Sequence, residues 1–259
     1  MAVHGKNRLG RRRTTLAIAL AMAILGLSTQ SAHAVVPADG HYAGRGENGL
    51  RVSFVVQGGV VQFAFEDANF GGCSISGGFS GSDTPNSNGH FSIVSTGGLT
   101  QVTLSGTFVS PSEVHGKLVI RQSDPNACPG TYTFKYVAQR FVHHSPGTGT
   151  STVRNGQYAG AGKNVAVWFD VVGGDVTNGE TWLMSTNCFY SFAAFPPDMP
   201  DSNGRFSTQV SGTSNVVTIK GTFAISQLVD GTVVWGTDDA CPADVYKLRY
   251  EAKRFKIPH

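Results

Sequence analysis

The pentapeptide Gly40-His41-Tyr42-Ala43-Gly44 returns 116 residues later as Gly156-Gln157-Tyr158-Ala159-Gly160. It does not return alone. Ser87-Asn88-Gly89-His90-Phe91-Ser92 and Gly106-Thr107-Phe108 recur as Ser202-Asn203-Gly204-Arg205-Phe206-Ser207 and Gly221-Thr222-Phe223, both at an offset of 115. Tyr136-Val137-Ala138-Gln139-Arg140-Phe141 recurs at 114 as Tyr250-Glu251-Ala252-Lys253-Arg254-Phe255. An offset this steady over about a hundred residues reads as one unit written twice, which constrains the fold more than any single motif. The copies are expected at 38–142 and 154–257, joined by a polar Gly/Ser/Thr tether over 143–153. Each has a common size for one independently cored domain.

Within each copy the apolar period is two. Thr131-Tyr132-Thr133-Phe134-Lys135-Tyr136 alternates cleanly, and Val102-Thr103-Leu104-Ser105-Gly106-Thr107-Phe108 nearly so. Such β-branched and aromatic runs, punctuated by Gly-Gly, Asn-Gly and Ser-Pro, are strand and turn signals, and no window carries a helical stripe. The expected fold class is all-β: two tandem homologous antiparallel β-sandwich or β-barrel domains of about seven or eight strands, with one disulfide each. The pattern does not separate barrel from sandwich.

The N-terminus places Lys6, Arg8 and Arg11-Arg12-Arg13 before an apolar run from Leu16 to Leu27, then Ser31-Ala32-His33-Ala34 with small residues spaced as A-x-A. These are the parts of a secretory signal peptide over 1–34, with cleavage expected after Ala34 and a secreted, extracellular product. About twelve apolar residues span only about 18 Å, short of the roughly 30 Å of a hydrocarbon core, so no membrane span is expected in the mature chain. Arg12-Arg13 permits a twin-arginine route, but Thr15 stands where such signals carry a large apolar residue, which favours the general route.

The leader also owns the basic charge. The chain carries 20 basic and 17 acidic residues, for a net charge of +3. Removing 1–34 takes five basic residues and no acidic ones, leaving a net charge of −2. With charged residues at 14% and hydrophobic residues at 40%, neither nucleic-acid binding nor disorder is favoured.

Cys73 and Cys128 fall in the first copy and Cys188 and Cys241 in the second. An even count shared equally between copies of an exported chain argues for Cys73–Cys128 and Cys188–Cys241, the pairing that gives each copy the same bond. A zinc site would need clustered Cys and His, yet no Cys-x-x-Cys occurs and no His recurs at an equivalent place. No metal and no cofactor is expected.

If the sheet closes on itself, the opening Gly-x-Tyr lies beside the terminal Ala-x-Arg-Phe, so that Arg140 could sit over Tyr42 and Arg254 over Tyr158 as cation–π pairs. This resembles lipocalin-type barrels, whose first strand carries Gly-x-Trp met by a late basic residue. The whole layout, with Gly-x-Tyr-x-Gly, one Cys pair and Ala-x-Arg-Phe in each copy, also resembles small exported β-domains of actinobacterial and related bacteria. Those domains have no assigned activity, so the resemblance implies no catalytic residues.

Few residues invite chemistry. His143-His144 lie in the tether, and His41, His90 and His115 align with Gln157, Arg205 and Asp230, so surface roles are expected. Glu66-Asp67, Asp198 with Asp201, Asp124 and Asp238-Asp239 are the carboxylates near loops, for which turn or solvated roles are expected rather than calcium binding or catalysis. No nucleophile elbow, zinc-protease helix or phosphate loop is present. The tryptophans are more telling, because all three lie in the second copy. Trp235 aligns with Ile120 on a core face. Trp168 aligns with Ser53 between inward Val167 and Phe169, which predicts an outward indole. Trp182 aligns with Asp67, and its face is ambiguous. Trp168 and Trp182 are therefore the candidate ligand-binding residues, with cover of a domain–domain contact as the structural reading beside it.

These observations point to a secreted, monomeric, non-enzymatic protein that binds an extracellular ligand, a glycan or envelope polymer ahead of a protein. The alternatives are a hydrolase working through Asp198 or Asp201, and a structural envelope protein or protease inhibitor.

Overall fold

The computed structural model describes residues 35–70, 72–141, 153–162, 164–185, 188–211, 216–225, 227–236 and 246–255. The expected signal peptide, most of the tether with His143-His144, Asp238-Asp239 and Cys241 lie outside the described residues, as does the side chain of Cys188, and with them the second disulfide.

The first sheet comprises β1 (Gly40–Gly46), β2 (Arg51–Gln57), β3 (Val60–Phe70), β4 (Cys73–Asp83), β5 (His90–Gly97), β6 (Thr100–Ser110), β7 (Glu113–Gln122) and β8 (Gly130–Phe141). The second comprises β9 (Gly156–Gly162), β10 (Val165–Val172), β11 (Asp175–Ser185), β12 (Cys188–Phe195), β13 (Arg205–Ser211), β14 (Val216–Ile225), β15 (Leu228–Gly236) and β16 (Tyr246–Phe255). The strand order is 4-3-2-1-8-7-6-5 in the first and 12-11-10-9-16-15-14-13 in the second, with neighbouring strands antiparallel throughout. Each sheet is thus a meander whose first and last strands pair and which rolls toward a barrel, nearly closed in one and half closed in the other, with a seam between its fourth and fifth strands. Among the described residues no helix is long and apolar enough to cross a membrane.

Tyr42 is the register partner of Arg140, and Tyr158 of Arg254, so the sheet closes where the end motifs anticipate. The arginine also serves the backbone. Arg140 Nε donates to the Asp39 carbonyl at 2.6 Å and Arg254 Nε to the Asn155 carbonyl at 2.8 Å, each tying down the segment that enters the first strand. A peptide carbonyl at the barrel floor offers a charge-assisted hydrogen bond, a stronger partner than a ring face. Gly40, at φ +147, must be glycine here, because a Cβ would lie 2.8 Å from Arg140 Nε.

Alternation delivers the core. Tyr42, Phe54, Phe91 and Phe108 point inward from β1, β2, β5 and β6 and form a ring-to-ring cluster near the floor. Tyr42 stacks on Phe54 at 5.0 Å and meets Phe108 edge-on at 5.7 Å. Tyr158, Phe169, Phe206 and Phe223 repeat it, with the stack again at 5.0 Å and the edge-on contact at 5.7 Å. Such offset and edge-on pairs add to what burial of the rings contributes. Above them Tyr136 and Tyr250 thread the interiors, and each hydroxyl donates to a main-chain carbonyl, Ser105 or Lys220, at 3.2 Å. Trp235 is buried in the second core, as its alignment with Ile120 anticipates.

The seam is bridged by side chains. Asp83 Oδ2 accepts the Ser92 amide at 2.6 Å, and Asp198 Oδ2 accepts the Ser207 amide at 2.5 Å. Asp201 Oδ1 accepts the amides of Asn203 and Arg205 at 2.8 and 2.9 Å, as Asn86 Oδ1 does for Asn88 and His90.

Candidate functional site

The two residues marked from sequence as a ligand platform come together, but not on an open surface. Trp168 does point out of its own barrel, as alternation requires, yet it is 0% exposed, and Trp182 is 7% exposed. Both belong to an apolar cluster with Ala43, Phe141, Ala159, Ala161, Ala166 and Phe255, contributed by β1, β8, β9, β10 and β16. This is the contact between the barrels. The alanines let β1 and β9 approach closely, Trp168 Nε1 donates to the Gly44 carbonyl at 3.0 Å, and Trp182 Nε1 donates to Glu180 Oε1 at 2.9 Å. The indoles are spent on the neighbouring barrel rather than presented to solvent.

The same contact corrects the reading of Asp67 as a turn or solvated carboxylate. Asp67 is 8% exposed, and its Oδ2 accepts from Arg51 Nη1 at 2.6 Å. The same nitrogen donates to Glu180 Oε2 of the other barrel. Arg45, 1% exposed, donates to the carbonyls of Tyr158 and Phe169 at 3.2 and 3.1 Å and pairs with Asp170 Oδ1 at 2.9 Å. A guanidinium this buried needs nearly all its donors satisfied, which the facing barrel does. Burial lowers the pKa of Arg45 to about 10, against the opposing pull of Asp170. Outward-facing arginines read as solvated from sequence, so nothing in the pattern marked Arg45 or Arg51.

A site open to a ligand lies at the other end of the first barrel from its aromatic floor. Asn48, in the 3-10 turn Glu47–Gly49, adopts φ 53, and this turn forms one wall. The tip of the β3–β4 hairpin, through Asn69, Gly72, Cys73 and Ser74, forms a second, and Thr131–Phe134 of β8 form the base. Together they line a shallow, open groove of about 810 Å³. Phe134 is buried, Tyr132 half-buried, and Asn48, Asn69, Ser74, Thr131 and Thr133 exposed. Tyr132 packs against the first core, which anchors its ring at the rim, and its OH lies 3.3 and 3.4 Å from the carbonyls of Cys128 and Pro129. None of the lining residues named carries a formal charge.

The disulfide Cys73–Cys128 joins the β3–β4 tip to the β7–β8 connection, with Cα atoms 6.4 Å apart. Two strands separate these connections in either direction around the roll, so the bond crosses the mouth as a strap, and the groove lies on its β1–β2 side. The cysteine arithmetic found the bond, but the groove left no trace in sequence. Its residues come from three separate segments and share no period.

The candidate acid–base groups are otherwise engaged. The oxygens of Asp198 and Asp201 hold the seam and a turn, Asp124 Oδ1 accepts the Asn126 amide at 2.9 Å, and His115 is exposed beside Glu113. Among the described residues no group of three or more His, Cys, Asp or Glu side chains could hold a metal ion.

No family model and no curated protein matches the chain. Among solved structures, a protein of unknown function from the DUF3598 family of Nostoc punctiforme is similar over 84% of this chain and 94% of that one, at 10% identity and a TM-score of 0.23.

Proposed function

We propose that this chain is a secreted, non-enzymatic binding protein whose ligand site is the mouth groove of the first barrel, and that its ligand is a neutral, hydroxyl-rich polymer of the glycan class. One observation carries the reading: the groove is walled by amides and hydroxyls from Asn48, Asn69, Ser74, Thr131 and Thr133 around one anchored ring, Tyr132, with no formal charge among them. Neutral amides and hydroxyls both donate and accept, as sugar hydroxyls require, and a fixed aromatic face suits the C–H face of a sugar ring. Export rests on the basic, apolar and A-x-A segments of residues 1–34.

The test is calorimetric titration of the mature chain with neutral soluble glucans and mannans, with polygalacturonate as the anionic control. Binding by at least one neutral glycan, weakened about tenfold or more by Tyr132→Ala and retained by Tyr132→Phe, is the expected result. No heat with any neutral glycan, or affinity untouched by Tyr132→Ala, overturns the reading.

A further inference from the structure

The contact between the barrels holds an uneven set of charges. From the first barrel come Arg45 of β1, Arg51 of β2 and Asp67 of β3; from the second come Asp170 of β10 and Glu180 of β11. Beside them Glu251 and Lys253 of β16 pair with each other at 3.4 Å, with Lys253 also over the Phe141 ring, and Asp230 of β15 is the buried cross-strand neighbour of Glu251. Around Arg45 and Arg51 the described residues place three carboxylates, Asp67, Asp170 and Glu180, against two guanidiniums, an excess of one negative charge in that set. The side chains of Arg45, Arg51, Asp67 and Glu180 are 1%, 15%, 12% and 4% exposed, so water does little to stabilise that excess.

The geometry shows where a proton would balance it. Asp67 Oδ2 and Glu180 Oε2 converge on one nitrogen, Arg51 Nη1, one carboxyl from each barrel. Two carboxylates in such proximity cannot both ionise cheaply, and one proton between them converts repulsion into a hydrogen bond. Trp182 Nε1 takes the remaining oxygen of Glu180, and Asn178 donates its Nδ2 to Asp170 Oδ2 at 3.1 Å, so the neighbouring acceptors are already served.

We propose that the inter-barrel contact is a proton-loaded latch, in which Glu180 holds a proton and turns it toward Asp67 beside Arg51, and the barrels loosen when that proton is withdrawn. In the loosening step the carboxyl O–H bond breaks, the proton passes to hydroxide to give water, and the cluster gains one negative charge. Burial raises the pKa of Glu180, Arg51 opposes this, and the hydrogen bond with Asp67 adds to the rise. A raised carboxyl pKa contributes stability present at lower pH and lost as pH rises through the folded value, so docking tightens on acidification.

The experiment titrates the full mature chain between about pH 5 and about pH 9, following tryptophan emission and small-angle scattering. Parting of the barrels exposes Trp168 and Trp182, which shifts emission to the red and enlarges the radius of gyration. The wild type is expected to make this transition as pH rises. Glu180→Gln and Asp67→Asn, each neutral at every pH, are expected to stay compact with at least a several-fold smaller response. A flat wild-type profile, parting on acidification, full retention of the response in both variants, or variants with native circular dichroism that stay apart at all pH values overturns the proposal.

Discussion

The indole nitrogen of Trp168, on the second barrel, donates to the main-chain carbonyl of Gly44, on the first, at 3.0 Å. Gly44 faces the interior of its own barrel, where a Cβ would lie 2.2 Å from the Val137 carbonyl, and its carbonyl is what the second barrel reads. Trp168→Ala removes this bond together with one of the two largest side chains of the contact. The expected loss is about 3 kcal/mol or more of unfolding free energy in urea, in the range for truncating a buried aromatic. A variant that keeps the wild-type midpoint would show that the contact contributes little.

Reduction of the mouth strap has a separate signature. The Cys73–Cys128 bond closes a loop with a sequence separation of 55, for which chain entropy gives a stabilisation of about 4 kcal/mol. The double variant Cys73→Ser with Cys128→Ser is expected to lose about that much in the first barrel while the second melts unchanged. Equal loss in both barrels would contradict a bond confined to the first.

Gly116 and Gly231 are fixed by close approach rather than by conformation. A Cβ at Gly116 would stand 2.3 Å from the Ser105 carbonyl and 2.4 Å from the Tyr136 ring, and at Gly231 2.3 Å from both the Lys220 carbonyl and the Tyr250 ring. Gly116→Ala and Gly231→Ala are each expected to cost about 1 to 3 kcal/mol, read by thermal or urea melting. A neutral effect in either would mean that the tyrosine slot has slack.

Two kinds of group set the pH limits of the floor and turns. Asp39 accepts the amides of Gly58 and Gly59, and Asp201 those of Arg205 and Asn203, and these backbone bonds hold both carboxylates below their ordinary pKa. Their contribution is present above the ordinary carboxylate range and is lost as pH falls through the lowered folded values. Tyr42 runs the other way. Burial pushes its phenol up to about 12, so its contribution is intact below the ordinary value near 10 and is lost as pH rises through about 12. An ultraviolet titration that finds all seven tyrosines ionising together near 10 in the folded chain would contradict this.

The parts of the fold that were legible in sequence are those governed by short-range pattern. Period two placed Phe54 and Trp235 inward, and the matched end motifs placed Tyr42 opposite Arg140. The outward direction of Trp168 was equally legible. Its cover was not, since burial by a separate barrel imposes no period on the strand being covered. Arg45, Arg51 and Asp67 stayed hidden for the same reason, because a charged outward residue looks the same facing water or facing a partner. The groove around Tyr132 needs three distant segments brought to one rim, which only the roll of the sheet accomplishes.

The two faces that meet between the barrels occupy equivalent strands, yet their residues have diverged. Arg45, Arg51, Ser53 and Asp67 on one correspond to Ala161, Ala166, Trp168 and Trp182 on the other. Neither face is therefore complementary to itself. A sticky patch that matched its own kind could recruit the same patch on another molecule and propagate into dimers or filaments. Here the matching face belongs to the same chain, which gives it a high effective concentration. Unlike faces on equivalent strands thus favour closure within one chain over pairing between like faces of two chains.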